Sequence, residues 1–304
     1  MTSPTVTAAL PKSSELEAML RTAVAAVEEA GAFIRAQTGG LIEFRGKGTS
    51  GDVVSELDVR AEQLIVRRLR EAHPEIPVLA EESGYVEAVH AKESPWLWLV
   101  DPLDGTNNLA IGLPAYVVGI ALCRDGEPVA SAVHEPQTGR TWQAYRGGRL
   151  IGPADRPRPW ARNPDAARKP VVAWTQGYAV EGTDAIANAM KAVLDREARR
   201  TLSLWAPLLG WTMLARGDID VFIGHRPQLI DLPGGLLLAQ EAGLEVRTPA
   251  GAPFVARLDR HTEPDADLSF VCAAPELMSR ALEWTRQARC LAPELARVFK
   301  SFRP

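Results

Sequence analysis

Two short apolar runs, Ile76 to Ala80 and Trp96 to Val100, each end on carboxylates: Glu81-Glu82 in the first case, Asp101-Pro-Leu-Asp104 in the second. Apolar runs of this length, bounded by turn or polar residues, read as buried strands. The chain must therefore fold with acidic groups at the ends of interior strands, where an unpaired charge costs several kcal/mol. Lysine and arginine do not supply the compensation locally, because no basic residue lies between Glu93 and Arg124. A bound cation is the natural counter-charge. All the candidate ligands are oxygens, with no His or Cys among them, so hard Mg²⁺ suits the set better than zinc.

Two further acidic positions, Asp58 and Asp231, complete the set. Taken singly, each has an ordinary explanation. Asp58 and Asp231 could cap helices, Glu81-Glu82 could be solvated surface, and Asp-Pro-Leu-Asp-Gly is a common turn composition. Taken together they point to chemistry. Asp101 and Asp104 lie three apart around a Pro-fixed turn, so one carboxylate can bridge two ions while the other completes the second site, and the Leu103 carbonyl can face the same cavity. Gly105 and Thr106 then present backbone N–H groups at a helix start, where a phosphate is held by donors and dipole together. Metals beside an anion cradle suggest phosphoryl chemistry.

The rest of the 304 residues, 46% hydrophobic and 24% charged, has the composition of a folded, enzyme-sized protein. Residues 1–12 read as a disordered leader. A helix begins at the Ser14-x-x-Glu17 capping box and stops at Gly39-Gly40, the glycine-rich stretch 45–52 reads as a mobile loop, and a second helix covers about 58–72. Between Tyr116 and Arg146 an antiparallel meander turns at Asp125-Gly126 and Thr138-Gly139. Pro, Arg and Ala without periodicity at 151–170 mark a seam. Strands at 170–175, 219–223, 244–247 and 268–273 then alternate with helices near 183–195, 205–216, 233–242 and 275–289, which indicates an α/β layer. The expected division is an N-terminal α+β half over 13–160 carrying the antiparallel sheet and metal motif, a C-terminal α/β half over 161–290 completing the site, and a tail at 291–304.

Several classes are excluded. A formal net charge of −4 and a pI near 5.8 argue against nucleic-acid binding, and no segment approaches the ~18 consecutive apolar residues of a membrane span. Cys123, Cys272 and Cys290 are far apart and outside any paired motif, as expected of buried thiols in a reducing cytoplasm. Gly-Lys-Gly-Thr at 46–49 fails as a phosphate loop, since Leu41 stands where the first glycine is needed and Gly48 where the hydroxyl is needed.

Glu81-Glu82-Ser83, the run Asp101-Pro-Leu-Asp-Gly-Thr-Asn-Asn-Leu, and Asp231 opening a Gly-Gly helix that leads to Glu241-Ala-Gly243 resemble the inositol monophosphatase family of Mg²⁺-dependent, Li⁺-sensitive phosphatases, in order over roughly residues 14–285. The resemblance implies the layered αβαβα sandwich shared with fructose-1,6-bisphosphatase, a homodimer, a small-molecule phosphomonoester as substrate, and two to three Mg²⁺ ions. It places a first ion on Glu81, Asp101 and the Leu103 carbonyl and a second on Asp101, Asp104 and Asp231. A third sits more weakly near Glu81 with water. Asp58 with the Thr106 hydroxyl orients and deprotonates the attacking water, and Lys47 matches a lysine of the family's metal loop. The substrate side departs from the pattern. A glutamate that holds inositol hydroxyls is replaced by Gly224, the stretch 202–207 reads Leu-Ser-Leu-Trp-Ala-Pro, and Trp174, Tyr178, Trp205 and Trp211 enter the region. The expected substrate pocket comprises Trp174, Trp205, Gly224 and His225, with an alcohol flatter or more apolar than inositol.

Overall fold

The computed structural model describes residues 13–47, 51–89, 94–153, 169–255 and 267–301. The expected leader and most of the expected seam lie outside these residues. In chain order the elements are α1 (Ser13–Gln37), β1 (Phe44–Lys47), β2 (Asp52–Ser55), α2 (Glu56–Ala72), β3 (Val78–Ala80), β4 (Gly84–Val86), β5 (Trp96–Asp104), α3 (Thr106–Ala110), β6 (Val117–Arg124), β7 (Glu127–Glu135) and β8 (Arg140–Tyr145). They continue with β9 (Val171–Gln176), α4 (Ala185–Glu197), β10 (Arg200–Leu202), α5 (Pro207–Ala215), β11 (Val221–His225), α6 (Pro233–Glu241), β12 (Glu245–Arg247), β13 (Phe270–Ala273) and α7 (Pro275–Ser301).

A six-stranded sheet has the order β4-β3-β5-β6-β7-β8, a five-stranded sheet the order β10-β9-β11-β13-β12, and β1-β2 form a separate hairpin. The expected meander is present as antiparallel β6, β7 and β8. On one face of the six-stranded sheet lie α1 and α2, whose Leu20, Val27, Ile34, Ile65 and Leu69 are buried against Trp98, Val118 and Ile120. Its other face meets α5 and α6 through Leu208, Leu209, Leu237 and Leu238. The same two helices cover the five-stranded sheet through Trp211, Leu236, Phe222 and Phe270, and α4 and α7 close the far side. The architecture is a five-layer αβαβα sandwich in which α5 and α6, apolar on nearly every face, form the middle layer.

Three local readings need correction. The stretch 45–52 is not all loop: Phe44–Lys47 and Asp52–Ser55 pair as an antiparallel hairpin, since Val53 and Val54 carry strand propensity that the glycines do not cancel. The last helix runs past 289 to Ser301, through Pro293, so residues 291–301, set apart as a tail, are helical. Cys290 is exposed, while Cys123 and Cys272 are buried. Among the described residues, no helix is long and apolar enough to cross a membrane.

The middle layer depends on close approach. Gly235, in the first turn of α6, faces Trp211 of α5 so closely that a Cβ there would overlap the indole, and that indole stacks on Phe270 at 4.3 Å and meets Phe222 edge-on at 5.2 Å. Gly235→Ala is expected to destabilise the fold by about 1–3 kcal/mol through overpacking, measured as a lower urea midpoint. Gly39→Ala, at a position with nothing within 4 Å, should stay within about 0.5 kcal/mol of the parent. Equal midpoints for the two variants would refute the packing argument.

Candidate active site

In a regular strand, residues three apart point to opposite faces, so Asp101 and Asp104 would diverge if β5 were regular. It is not. The pairing of β5 with β6 shifts register between Asp101 and Asp104, where Pro102 has no N–H to donate to the ladder, and the resulting bulge re-aims the strand. Both carboxylates then line one cavity. Asp231, on the turn before α6, meets them there: one carboxylate oxygen from each of the three lies within 4.8 Å of the others. Burial, and then the neighbouring carboxylates, hold all three well above the usual carboxylate range. None of the three forms an ion pair with a basic group among the described residues. Three acidic groups without such a partner, Asp101 and Asp104 buried and Asp231 half-buried, are a donor set suited to a hard divalent cation.

Asp104 does a second job. The α5 helix begins Ala206-Pro207 and has no side-chain cap of its own. The Asp104 Oδ2 atom accepts from the Leu209 N–H at 2.9 Å, so a carboxylate from β5 satisfies an otherwise free donor of α5.

Glu81 follows β3, its amide N–H donating to the Val100 carbonyl at 3.1 Å. Lys47, on the hairpin, reaches Glu81 at 3.1 Å and Glu82 at 2.8 Å. Burial pulls the lysine's pKa down, but the two glutamates outweigh it and the ammonium is held above its usual range. The turn itself is fixed by buried Glu62 of α2, whose oxygens accept from the Glu82 and Ser83 N–H groups at 2.7 and 2.9 Å. Sequence reasoning missed Glu62. Its signal was the spacing to Asp58, one helical turn away on the same face.

Asp58 is buried as the N3 residue of an α2 capping box with Ser55. Its Oδ2 accepts from the Ser55 N–H at 2.8 Å and the Ser55 hydroxyl at 2.6 Å. Asp58 thus caps α2. The Thr106 hydroxyl lies 2.6 Å from Asp58 Oδ1 and 3.0 Å from the Leu103 carbonyl. Thr106 lines the cavity, whereas Asp58 stands behind it. Burial raises the Asp58 pKa, partly offset by the Ser55 and Thr106 hydrogen bonds. Between Asp104 and Thr106, Gly105 adopts φ +104°, and a Cβ there would press on the Ala115 carbonyl at 2.8 Å, so this junction requires glycine.

The cavity, about 410 Å³, is floored by Glu81, Asp101, Asp104 and Asp231 from the first half and the α6 turn. Its other wall comes from the C-terminal half: Gln176, Tyr178, Lys191, Ser203, Trp205 and Gln228. Tyr178 also reaches across the site, its hydroxyl accepting from Asn107 Nδ2 at 3.1 Å. Of the expected substrate residues, only Trp205 lines this cavity, and it is 54% exposed. Trp174, Gly224 and His225 line a separate cavity of about 330 Å³ between α4, α7 and the five-stranded sheet. Strand alternation explains the separation. Trp174 shares its face of β9 with Val172, packed toward α4 and α7, and stacks on His225 at 6.2 Å. At Gly224 a side chain would run into the Phe270 ring. An aromatic core has filled the space.

The model of the Inositol monophosphatase family matches residues 15–284. A Mycobacterium tuberculosis protein named inositol-1-monophosphatase SuhB is 32% identical over 207 residues, 66% of this chain and 70% of the relative. A Vibrio cholerae protein named Nus factor SuhB is 32% identical over 239 residues, 77% of this chain and 86% of the relative. Among solved structures, the extragenic suppressor protein suhB of Bartonella henselae superimposes with a TM-score of 0.74 at 24% identity, over 88% of this chain and 98% of that one. A match this long, on a chain that brings Asp101, Asp104, Thr106 and Asp231 to one cavity, places the protein in the inositol monophosphatase family.

Proposed function

We propose that the protein is a Mg²⁺-dependent phosphomonoesterase that cleaves a small-molecule phosphate by direct attack of water. The observation that carries this reading is the convergence of Asp101, Asp104 and Asp231 within 4.8 Å, in a cavity that also holds Glu81 and Thr106. The donor set fits two to three hard cations on Glu81, Asp101, the Leu103 carbonyl, Asp104 and Asp231, and family membership supports the assignment. Bound there, Mg²⁺ would neutralise the carboxylates and lower the pKa of a coordinated water.

The remaining work falls to the chain. The Thr106 hydroxyl, donating to Asp58, leaves a lone pair facing the cavity that can accept a proton from the attacking water. Asp58, held by Ser55, receives the relayed proton without itself entering the cavity. Gly105 and Thr106 present backbone N–H groups to the phosphate, and Lys47 keeps Glu81 oriented between ion pair and ligand. The leaving alcohol faces the wall bearing Trp205.

Phosphate release from a panel of inositol, sugar, histidinol and nucleotide monoesters should require Mg²⁺. Asp104→Asn should lower kcat by on the order of 10²-fold or more, since even outer-shell changes at metal sites cost about 10–100-fold. Thr106→Val should lose activity while Thr106→Ser keeps most of it. Absence of release from every ester, with the protein folded, would defeat the proposal and favour the non-hydrolytic role that the Vibrio relative's name suggests.

The carboxylate cluster also sets a pH dependence. Groups whose folded pKa is raised stabilise the fold at low pH and lose that contribution as pH rises through the folded value. The metal-free protein should therefore melt at a lower temperature at pH 8 than at pH 5.5, and Mg²⁺ should raise Tm more at pH 8, because fewer protons then compete with the ion for the carboxylates. A Mg²⁺ effect of equal size at both pH values would show that the cluster is not where the ion binds.

A further inference from the structure

The wall opposite the carboxylates contains a cation with no role in the scheme above. Lys191 lines the active cavity, is half-buried, and makes no ion pair or hydrogen bond with any described residue. Its position is fixed rather than adventitious. The α4 helix is capped by Asp184, whose Oδ1 accepts from the Ala187 N–H at 2.8 Å, and is anchored on α7 through Ala187, Met190, Val193 and Leu194. Lys191 follows the buried Met190 directly, so the side chain leaves a rigid helix at the edge of its packed face.

A counter-charge to the carboxylates would sit in contact with one of them. Lys47 does, at 3.1 and 2.8 Å from Glu81 and Glu82. Lys191 does not pair with Asp52, Glu81, Asp101, Asp104 or Asp231, although all five line the same cavity. The cavity lining also offers neutral groups, the Gln176 and Gln228 amides, the Ser203 hydroxyl and the Trp205 ring. The amides and the hydroxyl could serve a neutral polyol, but neither a neutral polyol nor a purely apolar alcohol has a use for a full positive charge. An unpaired ammonium complements an anion.

Resting on the phosphomonoesterase reading, we infer that the substrate's alcohol carries a second anionic group, received by Lys191, with the body of the molecule laid against Trp205. The phosphate to be cleaved lies at the carboxylate floor. The second anion, a phosphate or a carboxylate, lies at the α4 wall.

Matched pairs test this: glucose 1-phosphate against glucose 1,6-bisphosphate, and glycerol 2-phosphate against 2-phosphoglycerate, with kcat and KM measured in Mg²⁺ for the parent, Lys191→Gln and Lys191→Arg. The parent is expected to favour the doubly anionic member of a pair by about tenfold or more in kcat/KM, the scale of one charge-assisted hydrogen bond. Lys191→Gln should erase that preference mainly through KM while leaving the singly anionic member within about threefold, and Lys191→Arg should retain it. Calorimetric Mg²⁺ affinity should be the same in parent and Lys191→Gln. Equal kcat/KM within both pairs for the parent would overturn the inference. So would a Lys191→Gln variant that keeps the preference but binds Mg²⁺ differently, which would make Lys191 a counter-charge after all. No release from any ester, p-nitrophenyl phosphate included, would instead sink the phosphomonoesterase reading. Calorimetric binding of glucose 1,6-bisphosphate would then still decide about Lys191, weaker binding to Lys191→Gln supporting its role and equal binding refuting it.

Discussion

Three carboxylates brought together, two of them buried and one half-buried, are the constraint around which this fold is built. Coulomb repulsion and desolvation act in the same direction on Asp101, Asp104 and Asp231, so each favours either a proton or a cation. Left to local preference the chain would separate them. The β5 bulge at Pro102 and the glycine-rich start of α6 hold them together, and both features are embedded in apolar packing that contributes far more free energy than the cluster costs. A divalent cation bound there, as proposed, would reverse the sign of that cost. A protein of this kind is most stable when loaded, and its stability is tied to its chemistry by mass action.

The middle helical layer transmits the constraint. The N-terminus of α5 rests on Asp104, and its buried Trp211 meets Gly235 of α6, the helix that Asp231 precedes. Asp104 and Asp231, which converge in the cavity from different parts of the chain, are therefore connected through a single pair of packed helices. Asp104 both caps α5 through Oδ2 and lines the cavity, a double use that the two acceptor oxygens of a carboxylate allow. Asp58 shows the same economy, one oxygen fixed by Ser55 and the other turned to Thr106.

How much of this was legible in the sequence varies with the type of signal. The carboxylates were readable because each ends an apolar run or opens a glycine-rich helix, patterns that survive without knowledge of tertiary structure. The layer architecture followed from the switch between meander and alternation. Trp174 and Trp205 were not distinguishable by composition, since both are tryptophans near a departure from the family pattern. Only strand alternation separates them: Trp174 shares a face with Val172, while Trp205 lies in the loop before α5. Gly224 read as a lost polar contact. The structure shows instead a cross-strand contact in which Phe270 takes up the space. Glu62 and Lys191 stayed hidden because a charged residue on an amphipathic helix normally faces solvent, and the fold alone reveals that α2 and α4 turn these two toward the site.

These placements divide the site into parts under different constraints. The floor is made of groups whose substitution disturbs helix caps, a bulge or a buried turn, so its chemistry is coupled to the stability of the whole molecule. The opposite wall is built from a loop after β9, one helix edge and the segment before α5. There Gln176, Lys191, Ser203 and Trp205 make no hydrogen bond to the floor carboxylates Glu81, Asp101, Asp104 and Asp231, and Tyr178 reaches Asn107 instead. Side chains on such a wall can change without unsettling the carboxylates, because their backbones are held by α4 packing and by the five-stranded sheet rather than by the site itself. Reaction type is therefore fixed by the deep, structurally expensive residues and selectivity by the shallow ones.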